Sequence, residues 1–295
     1  MISKNESLFQ TARDDEEFVC KTEDCQQSNS STFRLAYKDI DFLLRDDLRH
    51  VRLQLELLKP DLLLKEHGIR STVTVFGSAR ISDPEVAKNN LIEAEIASNS
   101  NPDDIELDHN VNVAQRALNN AHYYEEARRL AKIISMIHKE GKENEFVILT
   151  GGGPGIMEAA NRGANDVDAK SIGLNIVLPR EQIPNSYVTP DLCFRFHYFA
   201  LRKMHFLTRA KALVVFPGGF GTLDEMFEAA TLIQTGKIKR IPFLLFGKEY
   251  WNRVINFDVM VSEGMITETD EDLFKFVETA EEAWNHIASF WNFPV

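Results

Sequence analysis

The chain has 295 residues, enough for one large domain with extensions or for two small ones. Apolar residues make up 44% and charged residues 26%, a globular balance with ample material for a core. The net charge of −12 argues against a protein whose main work is gripping nucleic acid, yet it leaves room for a small phosphorylated ligand held by a local nest of N–H groups.

The first residues, MISKNESLFQTARDDEEFVC, are acidic and polar, unlike a secretory or mitochondrial signal. No apolar run approaches the ~18 residues of a membrane span, so the expectation is a cytoplasmic protein with no membrane partner. Cys20, Cys25 and Cys193 cannot all pair within the chain, and CKTEDC lacks a second nearby pair of ligands. Reduced thiols and no metal are expected.

In chain order, residues 1–33 read as a mobile polar leader. Apolar residues at helical spacing (Ile40, Leu43, Leu44, Leu48, Val51, Leu55, Leu58) predict an amphipathic helix from Tyr37 to Leu58, halted at Pro60. DLLLKEHG adds a short helix ending at Gly68. Residues 1–68 thus form a leader and helical extension, and 69–295 the main domain. STVTVFGSAR is a buried strand entering a loop. An acidic, Asn-rich insertion at about 82–121 is helical at both ends and loose around NSNPDD.

Beyond it, helix YYEEARRLAKIISMIH, strand EFVILT, glycine loop and helix GGGPGIMEAANRGAND and strand SIGLNIVLP alternate. Helix YFALRKMHFLTRA, strand KALVVF, loop and helix PGGFGTLDEMFEAATLIQTGK, strand IPFLLFG and a closing helix TAEEAWNHIASFW follow. Short apolar strands alternating with helices predict an α/β fold: a Rossmann-like, doubly wound parallel sheet covered on both faces.

Two segments repeat one unit of apolar strand, glycine loop and helix, at 146–165 and 212–235. Loops of this kind lie beyond the carboxyl ends of parallel strands, where helix N-termini suit phosphate and glycines let the backbone approach it. Neither loop is G-x-G-x-x-G, since the position three beyond Gly153 is Ile156, and no lysine follows as in a P-loop. Within the second, TLDE also reads as a capping box, with Thr222 capping the helix and Glu225 reaching back to its first N–H. That reading leaves Pro217 and the three glycines beside it unexplained. Arg202 and Lys203 read by themselves as a solvated basic pair, and His197 and His205 as core or surface residues.

PGGFGTLDE matches P-G-G-x-G-T-x-x-E, the signature of the Lonely Guy (LOG) family, often labelled "lysine decarboxylase-like". Arg202-Lys203 lies fifteen positions before Pro217, as the family's Arg-Lys pair does, and GSAR and GGGPGIMEAANRGA match its other glycine segments. The resemblance covers roughly residues 70–250 and is strongest to the larger bacterial members. Residues 1–68 and the 82–121 insertion depart from the compact pattern.

The resemblance implies a phosphoribohydrolase that takes a nucleoside 5′-monophosphate (AMP or a cytokinin riboside monophosphate) and water to free base and ribose 5-phosphate. It implies Arg202 and Glu225 as the catalytic pair and Gly218, Gly219, Gly221 and Thr222 as the phosphate site. Gly77, Ser78, Gly152, Gly153, Gly155 and Met157 would line the rest of the pocket, with Lys203 also counted as substrate-binding. It implies no cofactor, and a homo-oligomer of the family's shared-site kind. A nucleotide sensor that binds without turnover is the alternative from another class. A pyridoxal-phosphate decarboxylase is weakly supported, because no phosphate cup and acidic partner for that cofactor can be assigned.

Overall fold

The structure is a computed structural model, and it describes residues 11–19, 25–137, 144–178 and 183–293. Residues 1–55 and 56–295 are two compact units. In the first, α1 (Ala12–Val19) and α2 (Ile40–Leu43) precede α3 (Arg49–Glu66), which begins there and ends in the second. The mobile leader expected over 1–33 lies partly outside the described residues, at 1–10 and 20–24. Of the remainder, Ala12–Val19 is helical.

The single helix expected from Tyr37 to Leu58 is instead two, separated by a 3-10 turn at Asp46–Leu48. Asp39 caps α2 by accepting from the Phe42 N–H. The Arg52 guanidinium donates to the carbonyls of Leu43 and Arg45, both at 2.6 Å, which satisfies the end of α2 and fixes the break. Pro60 does not halt α3. Pro60 and Leu64 are buried, and the Arg209 guanidinium donates to the Asp61 carboxylate at 2.5 Å. Packing of that turn outweighs the N–H that proline lacks. The helix ends where Gly68 was expected to end it: Gly68 has φ +73°, and the N–H of Ile69 donates to the Leu64 carbonyl.

Seven parallel strands form one sheet. They are β1 (Thr72–Phe76), β2 (Val147–Thr150), β3 (Ser171–Ile176), β4 (Cys193–Phe196), β5 (Ala210–Val215), β6 (Phe243–Phe246) and β7 (Lys275–Val277). Their spatial order is β4-β3-β2-β1-β5-β6-β7. The chain winds outward from β1 to β4, then crosses to the other side of β1 and winds outward again. The order therefore reverses between β1 and β5, the place where loops diverge and leave a crevice. This is the Rossmann-like α/β fold expected. β4 and β7, both at the edges, were not foreseen.

Between β1 and β2 come α4 (Pro84–Ser100), α5 (Ile105–Asn120) and α6 (His122–Met136). The first two pair as a hairpin turning at 101–104, so the insertion is helical at both ends as predicted. Asp83 and Asp104 cap them by accepting from the N–H groups of Glu85 and Glu106. Next come α7 (Ile156–Asn165) and α8 (Phe199–Thr208), then α9 (Phe220–Gln234). After β6 lie α10 (Lys248–Val254), α11 (Phe257–Ser262) and α12 (Glu268–Glu271), and α13 (Ala280–Phe290) follows β7.

Alternate residues of each strand face opposite layers. Val73, Val75, Ile148, Val214 and Phe246 pack with α6, α7 and α13. Phe76, Leu149, Leu213, Val215 and Leu245 pack with Phe206 of α8, Met226 of α9 and Trp251 of α10. Each such side chain, fully buried, contributes about 1.5–3 kcal/mol. This core holds the strand tips, and so the loops at the crevice, in fixed register. Among the described residues, Cys25 and Cys193 are free thiols, no cluster of side chains could hold a metal ion, and no helix is long and apolar enough to cross a membrane. Cys20 lies outside the described residues.

Candidate active site

A cavity of about 370 Å³ opens at the carboxyl tips of β1, β2 and β5. Backbone hydrogen bonds tie together the loops that line it. The Ser78 N–H, past β1, donates to the Pro217 carbonyl, past β5, at 3.0 Å. The Ser78 carbonyl accepts from the Ile156 N–H at 3.1 Å, the first residue of α7. The loops after β1, β2 and β5 are therefore one laced unit.

The α9 start differs from the capping box. The helix begins at Phe220 with Gly219 as N-cap, three residues before the position that the box requires. Thr222 and Glu225 lie inside the first two turns and are buried, so neither caps. A Cβ on Gly218 would run into the Thr222 side chain, so this glycine serves local packing. A Cβ on Gly219 or Gly221 would meet nothing within 4 Å, and both residues line the cavity. Their backbone borders open space at a helix N-terminus, where amides lack intrahelical acceptors.

Glu225, from α9, faces Arg202, from α8, inside the cavity. One Arg202 Nη lies 3.5 Å from Glu225 Oε1, and the two side chains are 14% and 9% exposed. Arg202 also lies over the rings of Phe199 and Phe206, 5.1 and 5.4 Å from their centroids. Its Nε is buried without a hydrogen-bond partner among the described residues. Lys203 approaches Glu225 Oε2 from outside the cavity at 3.8 Å and bonds Asp224 at 2.7 Å and Glu228 at 2.8 Å.

Burial pushes the Glu225 carboxyl up to about 7, against the opposing pull of Lys203 and Arg202. Burial also holds the Arg202 guanidinium below its ordinary value. For Lys203 burial is outweighed by Asp224, Glu228 and Glu225, which raise it. Desolvation thus wins over ion pairing at Glu225, leaving a carboxyl divided near neutrality between acid and base forms.

Of the residues expected in the pocket, Gly77, Ser78, Met157, Arg202, Gly219, Gly221, Thr222 and Glu225 line this cavity. Gly152, Gly153, Gly155, Lys203 and Gly218 do not. From the GGGPG segment only Gly151 reaches it, because the rest is bonded to protein. Gly152 donates to Thr150 Oγ1, Asn185 Nδ2 donates to the Gly153 carbonyl, and Gly155, at φ +72°, abuts the Ser78 carbonyl. The GGGPG loop is mostly a brace for the loop after β1.

Sequence reading missed Arg80, Phe199 and Phe206, and the apolar wall of Ile176 and Leu178. Phe199 and Phe206 fall three before and four after Arg202 on one helix, a spacing that places rings beside a guanidinium. His205, by contrast, is buried beside Phe196 away from the cavity, as expected of a core residue, and burial lowers its pKa.

A family model described as "Possible lysine decarboxylase" matches residues 157–287. Cytokinin riboside 5′-monophosphate phosphoribohydrolase LOG3 of Arabidopsis thaliana is 28% identical over 142 residues, covering 47% of this chain and 65% of that protein. Cytokinin riboside 5′-monophosphate phosphoribohydrolase LOG of Oryza sativa subsp. japonica is 30% identical over 148 residues, covering 49% and 60%. The chain thus spans a little under two thirds of these relatives' lengths. Among solved structures, a molybdenum cofactor binding protein from Rippkaea orientalis aligns with a TM-score of 0.42 at 20% identity, covering 57% of this chain and 88% of that one. A Moco carrier protein from Chlamydomonas reinhardtii aligns at 0.41 and 16%, covering 76% and 98%. Glycine motif, family model and curated relatives point the same way: the chain is similar to Lonely Guy (LOG) proteins, and its residues 157–287 match the model described as "Possible lysine decarboxylase".

Proposed function

We propose that this protein hydrolyses the N-glycosidic bond of nucleoside 5′-monophosphates, releasing free base and ribose 5-phosphate. One observation carries the reading. A buried Arg–Glu pair shares a single cavity with two glycines whose missing side chains leave a helix N-terminus open. The phosphate occupies that opening, at Gly219 and Gly221, with Thr222 beside it. Held there, the sugar is fixed against Glu225 by binding energy remote from the reacting bond.

As the C1′–N bond breaks, positive charge develops at the anomeric carbon, and ionised Glu225 stabilises it. Water adds its oxygen to C1′ and gives a proton to Glu225; the base leaves with the bonding electron pair and takes a proton from solvent or from Glu225. A carboxyl near neutrality suits both halves of that exchange. Arg202 aims the carboxylate and stays cationic despite its burial. The apolar wall of Phe199, Ile176 and Leu178 suits the flat face of a base.

The test is incubation with AMP and with isopentenyladenosine monophosphate, followed by chromatography. Free adenine or isopentenyladenine with equimolar ribose 5-phosphate is the expected result. Nucleotide bound but unchanged after prolonged incubation would make the protein a sensor or carrier instead.

A further inference from the structure

The cavity wall carries two cations, Arg80 and Arg202, and one carboxylate, Glu225. Arg202 is engaged by Glu225. The Arg80 guanidinium has no ion-pair or hydrogen-bond partner among the described residues, while its backbone is firmly held. Its N–H donates to Ser78 Oγ at 3.1 Å, and Ser78 is itself bonded to Pro217 on one side and Ile156 on the other. Just before it, Gly77 sits so close to Ile156 that a Cβ would lie 2.6 Å from that side chain. Arg80 is therefore a free cationic head on a fixed stem. The Ser78–Pro217 bond sets that stem beside the turn carrying Gly219 and Gly221.

We propose that Arg80 is the specificity-determining residue of this site, the guanidinium that grips the ligand's 5′-phosphate and separates nucleoside monophosphates from nucleosides. The proposal rests on the substrate class of the hydrolase reading. Paired with Glu225, Arg202 adds little net charge, and the chain as a whole is at −12, so a phosphate dianion needs a local cation to offset the repulsion. A guanidinium meets phosphate through two parallel N–H···O bonds, and the amides at Gly219 and Gly221 take its other oxygens.

Calorimetry with ribose 5-phosphate and with ribose, on wild type, Arg80→Ala and Arg80→Lys, tests the grip without any turnover. Arg80→Ala is expected to weaken ribose 5-phosphate binding by about 10- to 100-fold, and Arg80→Lys by less. In turnover assays the kcat/KM ratio of AMP to adenosine should fall by a similar factor, through KM. Ribose 5-phosphate binding that is equal in wild type and Arg80→Ala, or undetectable in wild type, overturns the proposal. Should wild type release no base while binding ribose 5-phosphate in an Arg80-dependent way, the hydrolase reading falls and the phosphate grip stands. Base release with an AMP-to-adenosine ratio indifferent to Arg80 has the opposite meaning.

Discussion

Glu225 is asked to be buried, charged and close to two cations at once, and burial has the larger effect. Its folded value of about 7 lies above the ordinary 4.5, so between those values the native chain holds a proton that the unfolded chain has released. Stability therefore falls as pH rises through that window, with the full penalty present above about 7 and none below about 4.5. The whole span is worth about 3 kcal/mol. Denaturant titrations of wild type and Glu225→Gln at pH 5 and pH 8 should show wild type losing stability relative to the variant at the higher pH; parallel curves would mean that the carboxyl titrates normally. The same substitution should abolish base release while AMP still binds. Lys203 lies outside the cavity but is the largest opposing influence on this carboxyl, with Arg202 on the same helix and Asp224 and Glu228 on α9 completing the charges that face it. Lys203→Met should therefore shift the acid limb of the pH–rate profile to higher pH with KM little changed. A uniform loss of rate without that shift would reduce Lys203 to a packing residue.

At the scale of the element, the glycines of the α9 loop separate into two kinds that look alike in the sequence. Gly218 is closed in by Thr222, whereas Gly219 and Gly221 border empty space. Gly218→Ala should cost about 1–3 kcal/mol by overpacking. Gly221→Ala, inside the helix, should leave stability unchanged or raise it by up to about 1 kcal/mol, and still weaken ribose 5-phosphate binding. Equal stability losses for the two would show that neither glycine is kept for a ligand. The strand-loop-helix pattern was legible because apolar strands of four to six residues and glycine loops alternate so plainly. β4 (CFRF) and β7 (KFV) were not, since edge strands are short and their exposed Arg195 and Lys275 interrupt the apolar run. The break between α2 and α3 depends on Arg52 reaching back to two carbonyls, and the passage through Pro60 depends on distant packing; neither leaves a local signal. The pairing of Arg202 with Glu225 was readable from the motif, but the place of Arg80 was not, because only the folded loops bring GSAR beside PGGFG.

Over the whole molecule, the cavity lies where the winding of the sheet reverses, and it is lined from both halves: Ser78 and Met157 from the first, Arg202 and Gly221 from the second. Such a site depends on the rigidity of the full sheet and little on what is attached elsewhere. The α4–α5 hairpin is the clearest attachment. Only Ala87 and Leu91 are buried along it, both near its base, and no residue from 84 to 120 lines the cavity. Its outer half is held by pairing of one helix with the other, as in the 2.6 Å bond from Ser98 to Asp108. Replacing residues 95–110 by a short Gly-Ser turn removes no buried side chain, so the melting temperature should move by only about 2 °C. Ribose 5-phosphate should bind the shortened protein as it binds the intact one. If the core instead melts many degrees lower, the hairpin takes part in folding the sheet. If binding is lost from a protein of normal stability, the hairpin tip reaches a cavity other than its own, which would make the site a product of assembly between copies of this chain.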